Sequence, residues 1–229
     1  AEVDSKHRWD VMRNHSVTHF LHASLRKILD THVQQAGSYV GPDHLRFDFT
    51  HFTKPSPEEL KDIEIMVNEQ LRRNLPMHHH RNIPFEEAKK MGALMFFGDK
   101  YGDKVNVVQF GDFTMEFCGG THVKNSSEIG LFKITSEASI ASGVRRIEAV
   151  TGAGVEKYIQ SQLEHMKQFS HRIDELLDTK KKLVKEISDL KLKEKLGQLD
   201  HILSLHSSEK GIKVFKGIVQ ADNMDELKS

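Results

Sequence analysis

The sequence predicts an α+β protein, with helices packed on a largely antiparallel sheet, followed by a long helical, coiled-coil segment. Two apolar stripes with helical spacing and several short alternating runs occupy the first two thirds of the 229 residues. A heptad repeat of apolar residues follows, in a region rich in Lys, Glu and Leu that contains no proline. This order of elements is typical of α+β proteins rather than of parallel α/β folds.

The chain is predicted to divide into three parts. All five prolines lie before residue 85, and two glycines at residues 151–154 interrupt the strand pattern before the heptad repeat. We expect a globular domain over residues 1–152, a helical coiled-coil linker over 153–208, and the truncated start of a C-terminal domain over 209–229. Because the sequence does not begin with Met and stops abruptly, we expect a fragment of a longer protein.

Three helices are predicted in the globular part. Apolar residues with helical spacing predict a helix from Arg13 to Leu29, capped by Asn14 or by the preceding Asp10. The motif Ser-Pro-Glu-Glu at residues 56–59 predicts the start of a second helix. Its apolar stripe consists of Leu60, Ile63, Val67 and Leu71. Pro84 is expected to open a third, short helix.

Alternating apolar and polar residues predict the strands of the sheet. The candidate strands are residues 44–50, 105–110, 113–117, 129–135 and 144–150. A further strand-like run follows the first helix and contains Gln35. Residues 211–219 predict one more strand, for which the sequence shows no partner. The run His78, His79 and His80, which lies between two prolines, is interpreted as a solvated loop.

The heptad repeat predicts a coiled coil. Its a positions are Ile159, Met166, Ile173, Lys180 and Ile187, and its d positions are Gln162, Phe169, Leu176, Leu183 and Leu190. Eight of these ten residues are apolar, which favours self-association through this seam. The repeat fails after about Leu190, so a bend or a change of register is expected there.

Composition excludes several classes of protein. Lys plus Arg and Asp plus Glu both number 33, so no global basic field attracts nucleic acid, and any RNA contact must be local. The sequence has no run of eighteen apolar residues, and its first residues lack the charged and apolar regions typical of a signal peptide, so we expect a cytoplasmic protein. The single cysteine, Cys118, excludes internal disulfides.

Two short motifs are candidate metal ligands. His15 and His19 are separated by one helical turn, about 40° apart in projection, so both imidazoles can face one ion. Cys118 and His122 offer a thiolate and a third imidazole at similar spacing on a glycine turn. This donor set suits Zn²⁺ and is poorly suited to Mg²⁺ or Ca²⁺. The alternative is that His-x-x-x-His occurs by chance on a surface helix.

Two neighbouring residues have roles that the spacing leaves open. His22 projects about 20° from His15 but lies about 10 Å further along the helix, so we interpret it as a supporting or flanking residue. Glu116 shares the strand face of Cys118 and is predicted to act as a base or to orient a ligating imidazole. Four protein ligands would close the tetrahedron, which is typical of a structural site. Catalysis would then require five-coordination, exchange of a ligand, or help from a hydroxyl group of the substrate.

Three segments together resemble a known family. Asn14–His22, Glu116–Val123 and Gly143–Gly152 are similar to the editing domain of alanyl-tRNA synthetase, which is shared with threonyl-tRNA synthetases and free-standing AlaX-type proteins. Residues 130–134 and Val33–Tyr39 resemble the alanyl form more than the threonyl form. The heptad region and residues 211–229 resemble the linker helix and first strand of that enzyme's C-terminal domain.

The resemblance implies hydrolysis of tRNA esters that carry the wrong amino acid. It assigns zinc binding to His15, His19, Cys118 and His122. The expected substrates are Ser-tRNA(Ala) and Gly-tRNA(Ala), because a pocket built for alanine discriminates weakly against glycine and serine. Gln35 resembles the family's polar residue that accepts the serine hydroxyl. The alternative interpretation is that Gln35 is an ordinary exposed glutamine without a role in the site.

Three other residues are weaker candidates for substrate or tRNA contacts. Thr18 is a candidate substrate-binding residue, unless its hydroxyl bonds back to the helix. Arg145 and Arg146 are neighbours in an otherwise apolar strand. Because side chains alternate along a strand, their guanidinium groups are expected on opposite faces of the sheet. One of them is predicted to reach a tRNA phosphate. The alternative is pairing with Glu137 or Glu148.

Other functions remain open at this point. The chain is alternatively a free-standing or threonyl-type deacylase, a tRNA-docking and oligomerisation module with a structural zinc, or a coiled-coil adaptor. The sequence contains neither G-x-x-x-x-G-K-[ST] nor G-x-G-x-x-G, so we expect any aminoacylation site to lie upstream, in a part of the parent protein that this sequence does not include.

Overall fold

The computed structural model describes residues 2–95, 101–204, 206–215 and 217. The chain divides into two units, Ala1–Gln162 and Leu163–Ser229. The helices are α1 (Ser5–Ile28), α2 (Pro57–Arg72), α3 (Phe85–Lys90) and α4 (Ala153–Ser204), with a 3-10 turn at Ser126–Ile129. The strands of the first unit are β1 (Gln35–Val40), β2 (Leu45–Thr50), β3 (Met77–Pro84), β4 (Lys104–Phe110), β5 (Thr114–Phe117), β6 (Phe132–Ala141) and β7 (Val144–Thr151).

Two antiparallel sheets form the framework of the first unit. The strand orders are β1-β2-β7-β6 and β3-β4-β5. The predicted fold class, helices with a largely antiparallel sheet and a long C-terminal helix, is confirmed. One core joins α1 and α2 to both sheets, and Phe20, Phe47, Phe110 and Ile147 are among its fully buried members.

The predicted start of α1 is wrong. The helix begins at Ser5, where the Asp4 carboxylate accepts a hydrogen bond from the His7 backbone N–H at 3.0 Å. Asn14 lies buried within the helix, where its amide donates to the Gly41 carbonyl at 2.8 Å. Residues 5–12 are all exposed or half-buried, so the first turns have no buried apolar stripe that would reveal them.

The predicted second and third helices are confirmed. Ser56 caps α2 through a complete capping box: its hydroxyl accepts from the Glu59 N–H, and the Glu59 carboxylate accepts from the Ser56 N–H. Three residues of the predicted apolar stripe, Ile63, Val67 and Leu71, are buried.

The prediction of a loop at His78, His79 and His80 is wrong. These residues belong to β3, which pairs with β4 in the register His79 to Val108. β3 is an edge strand, and an edge strand accepts polar side chains and terminal prolines that would not fit a central strand. The strand predicted from residue 129 begins instead at Phe132, after the 3-10 turn.

In the second unit, α4 continues to Ser204 and a hairpin follows. The apolar heptad residues of α4 are exposed, with Met166, Phe169 and Ile173 between 56% and 70% accessible. The strand predicted at 211–219 does have a partner, because β9 (Ile212–Phe215) pairs with β8 (His206–Glu209). Lys210 and Gly211 form the two-residue turn, both with positive φ, as a type I′ hairpin requires. Residues 216, 218 and 219 lie outside the described residues.

Among the described residues, no helix is both long enough and apolar enough to cross a membrane.

Candidate metal centre

Helix α1 and the turn after β5 bring four candidate ligands together. His15 and His19 lie one turn apart on α1, while Cys118 follows β5 directly and His122 lies four residues later. One ligand atom from each of the four residues lies within 4.8 Å of all the others. The Cys118 Sγ is 3.3 Å from His122 Nε2 and 3.5 Å from His15 Nε2. The two sequence motifs therefore form a single cluster.

Two small residues permit this close approach. A Cβ atom at Gly120 would lie 2.0 Å from His15 Cε1, so only glycine fits beside the imidazole. Ser16, which is fully buried, binds the turn to α1: its hydroxyl oxygen accepts from the Val123 N–H at 3.1 Å and lies 3.2 Å from His122 Nδ1. When His122 Nδ1 carries the proton it donates to this oxygen, and Nε2 is then the atom available to a metal.

Glu116 supports the cluster from the end of β5. Its Oε2 accepts a hydrogen bond from His19 Nδ1 at 2.5 Å, and its Oε1 accepts one from His22 Nδ1 at 2.8 Å. All three side chains are at most 5% exposed. The Nε2 atom of His19 is buried and makes no hydrogen bond within the described residues. It is therefore the atom of His19 that would coordinate an ion.

Electrostatics favour the ionised thiol and a neutral imidazole. Burial raises the pKa of Cys118, but hydrogen bonds from His122 and His15 outweigh it and lower the pKa to about 3. Burial lowers the pKa of His122 to about 4. A thiolate and a neutral imidazole are the forms that bind metals, because the ligand must offer a lone pair.

The Glu116 and His19 pair is charged in the metal-free protein. Burial disfavours both charges, yet the charge of His19 lowers the pKa of Glu116 to about 2. The charge of Glu116 in turn raises the pKa of His19 to about 10. Glu116 is therefore an anion at neutral pH.

The donor set fits a divalent transition metal. Three imidazoles and one thiolate are borderline-soft donors, and no described carboxylate belongs to the group. The unpartnered Nε2 of His19 and the lack of space for a Cβ at Gly120 are consistent with a site built around an ion.

The predicted substrate residues lie in other environments. Gln35 begins β1 and is half-buried, and its amide donates to Ser38 Oγ at 3.2 Å. Its neighbour Gln34 is exposed. The hydroxyl of Thr18 donates to the Asn14 carbonyl at 2.8 Å, which is the alternative that the sequence allowed for this residue.

Arg145 and Arg146 both make internal ion pairs. Arg145 is buried and its Nε donates to Glu137, while Arg146 makes a bidentate pair with Asp48 at 2.7 and 2.8 Å. The two side chains do point to opposite faces of β7, as alternation predicted. Asp48 is not the partner that the sequence suggested, because β2 and β7 are neighbours only in the folded sheet. A tRNA contact by either arginine stays a prediction.

The structure also identifies supporting residues that the sequence did not reveal. Spacing alone gave no partner for His22, because Glu116 is 94 residues away. The roles of Ser16 and Gly120 depend on the contact between α1 and the turn, and no local pattern marks them. Alternation along β5 did indicate that Glu116 faces the same side as Cys118.

Comparison with known proteins identifies relatives over the whole chain. Residues 105–148 match the family described as the threonyl and alanyl tRNA synthetase second additional domain. This segment includes Glu116, Cys118 and His122 but not the histidines of α1.

Curated relatives extend the similarity beyond that segment. The alanine--tRNA ligase of Parabacteroides distasonis is 41% identical and that of Geobacillus kaustophilus 43% identical, each over all of this chain. The alanine--tRNA ligase of Bacteroides fragilis is 46% identical over 94% of the chain. The chain spans only 26% to 27% of the length of these relatives.

Proposed function

Because this chain is related over its whole length to alanine--tRNA ligases, we propose that it hydrolyses mischarged Ser-tRNA(Ala) and Gly-tRNA(Ala), with zinc as its metal. The observation that carries the proposal is the cluster of one thiolate and three imidazoles, whose ligand atoms lie within 4.8 Å of one another. Zinc is the metal for which this donor set is typical.

The chemistry of amino-acid selection explains why a second hydrolytic site is needed. A pocket for alanine cannot exclude the smaller glycine, and rejection of an added hydroxyl reaches only about a hundredfold in an apolar pocket. A hydrolytic site that binds serine through a polar group can spare alanine. Alanine would leave that polar group unpaired, which costs roughly 1–3 kcal/mol.

The residues of this chain take distinct roles in the proposal. His15, His19, Cys118 and His122 would hold the metal, which when bound would supply a Lewis acid. With these four ligands in place, it could lower the pKa of a water to about 7 only by taking that water as a fifth ligand or in exchange for one of the four. Glu116 orients His19. Gln35 receives the serine hydroxyl on its amide oxygen, since its amide nitrogen already donates to Ser38.

Deacylation measurements test the proposal directly. Zinc-loaded protein should hydrolyse Ser-tRNA(Ala) and Gly-tRNA(Ala) and spare Ala-tRNA(Ala), while chelator-treated protein and Cys118→Ala should lose the activity. Equal rates on seryl and alanyl esters would contradict the proposal of a sieve. Full activity after metal removal would contradict the role of zinc.

The role of Gln35 has a matched control in the same strand region. Gln35→Ala should raise hydrolysis of Ala-tRNA(Ala) relative to Ser-tRNA(Ala) without changing zinc content, because the polar group that selects serine is gone. Gln34→Ala removes an exposed glutamine beside it and should leave the ratio unchanged. If both variants change the ratio equally, Gln35 is not the selecting residue.

A second candidate function is an RNA-docking and oligomerisation module in which the metal is structural. The exposed apolar heptad of α4 favours self-association, with or without catalysis. Such a module would bind zinc and tRNA(Ala) but would hydrolyse none of the three esters.

A further inference from the structure

A buried relay of three side chains lies behind the candidate metal cluster. His22 lies three residues after His19 on α1, and the two Nδ1 atoms bind different oxygens of the same carboxylate, Glu116. The ring of Phe47 packs against His22 with ring centroids 5.5 Å apart. The relay therefore extends from the metal cluster into the core of the first unit.

The chemistry of the relay fixes the tautomer of both imidazoles. An ionised carboxylate only accepts hydrogen bonds, so each Nδ1 that contacts Glu116 must be the protonated nitrogen. In His19 this makes Nε2, the buried atom that makes no hydrogen bond within the described residues, the nitrogen that loses its proton and offers a lone pair when a metal binds. With one partner the carboxylate could turn about its terminal bond, and the second hydrogen bond, from His22, prevents this.

We propose that His22 is a positioning residue, which acts through Glu116 to hold His19 Nε2 in place for the metal. The inference rests on the metal site of the proposed function and adds a residue to it. A partner that orients a ligating histidine typically contributes about 10- to 100-fold to metal affinity. The relay would be the reason that α1 carries a second buried histidine besides His19.

Two other roles fit the geometry less well. His22 is not in the group of residues whose ligand atoms converge, so it is a support and not a fifth ligand. Glu116 is a poor general base, since both of its oxygens already accept imidazole N–H groups and a new proton would break one of those hydrogen bonds.

Three substitutions of His22 separate its hydrogen bond from its volume. Phe keeps a ring beside Phe47 but donates nothing, Asn has an amide near the position of Nδ1, and Gln extends its amide toward the position of Nε2. We expect His22→Phe and His22→Gln to lower zinc affinity about 10- to 100-fold in chelator competition, and His22→Asn to restore most of it. The visible spectrum of the Co²⁺-loaded protein should change in the same order.

Controls keep the result interpretable. His7→Phe alters an exposed histidine of the same helix and should leave affinity and spectrum unchanged. If His22→Phe does not fold, the comparison of His22→Asn with His22→Gln decides, because these two side chains carry the same amide at the positions of Nδ1 and Nε2 respectively.

The outcomes distinguish this inference from the proposed function. Wild-type zinc affinity and an unchanged Co²⁺ spectrum in His22→Phe would overturn the relay, as would equal zinc affinities of the Asn and Gln variants or equal losses in the Phe and Asn variants. Failure of the wild-type protein to bind zinc would overturn the metal site itself. Neither measurement depends on ester hydrolysis.

Discussion

At the scale of single residues, Gly120 sets how closely the turn after β5 approaches α1. A side-chain carbon there would lie 2.0 Å from His15 Cε1 and 2.6 Å from His15 Nδ1. We expect Gly120→Ala to displace the His15 ring and to lower zinc affinity about tenfold or more, measured by chelator competition. Gly119→Ala is the matched control, because its nearest atom, Asn106 Nδ2, is 3.8 Å away. Equal losses in both variants would contradict this account of Gly120.

Cys118 provides a test that depends on pH. Its pKa is lowered to about 3 in the metal-free protein, so the thiolate fraction should stay nearly constant from pH 8 to pH 5. The alkylation rate of metal-free protein with iodoacetamide should therefore change little over this range, since the thiolate is the reacting form. An ordinary thiol, with a pKa of about 8.5, would react more slowly by about tenfold per pH unit below 7. A tenfold fall per unit for Cys118 would show that the imidazoles do not stabilise its charge.

At the scale of elements, the start of α2 depends on the capping box of Ser56 and Glu59. Ser56→Ala removes the acceptor for the Glu59 N–H and should cost about 1 kcal/mol of unfolding free energy in urea. Glu59→Gln keeps an oxygen that can accept from the Ser56 N–H and should cost less. A larger loss in Glu59→Gln than in Ser56→Ala would indicate that charge, and not the hydrogen bonds, stabilises this helix start.

The exposed seam of α4 gives a second test at this scale. If the heptad mediates self-association, Ile173→Lys places a charge at an a position and should shift the protein toward monomer in sedimentation equilibrium. His171→Lys adds a charge at an f position, opposite the seam, and should leave the association unchanged. A wild-type protein that stays monomeric at about 100 times the concentration used for activity would contradict self-association through α4.

Elements were predictable from sequence where one face is buried and the other is not. The stripe of α2 and the alternation of β2 follow this rule, and the two metal motifs were visible because each pair is local. The first turns of α1 and the edge strand β3 are polar on most sides, so periodicity gave no signal. β8 was not predicted from the sequence, because its own residues show no strand pattern. It forms a strand through its pairing with β9 across the Lys210-Gly211 turn.

The site itself was predictable only as far as its local pairs extend. His15 with His19 and Cys118 with His122 are each four residues apart, and a single helix or turn fixes their spacing. The contacts of Glu116 with His22 and of Arg146 with Asp48 join residues 94 and 98 positions apart. Such contacts depend on strand order and helix packing, which the sequence pattern does not specify.

At the scale of the whole molecule, the question is whether the first unit needs its metal to fold. The four ligands connect α1 to the turn after β5, which are about a hundred residues apart in sequence. A structural zinc contributes on the order of 10 kcal/mol in small domains that have almost no core. The first unit has a continuous core across α1, α2 and both sheets, including Phe20, Phe49 and Phe132. The core therefore does not depend on the ligands alone.

We therefore expect removal of the metal to weaken the first unit without unfolding it. Trp9, the single tryptophan, lies on α1 and its fluorescence reports this unit, whereas far-UV dichroism is dominated by the 52 residues of α4. Chelator-treated protein should keep a cooperative Trp9 transition at a lower temperature, because a metal stabilises the state that binds it. Cys118→Ala should melt at that lower temperature with or without chelator. If the metal-free protein is already unfolded at 25 °C and shows no Trp9 transition on heating, the metal is structural. The RNA-docking and oligomerisation module would then be the better account of this chain.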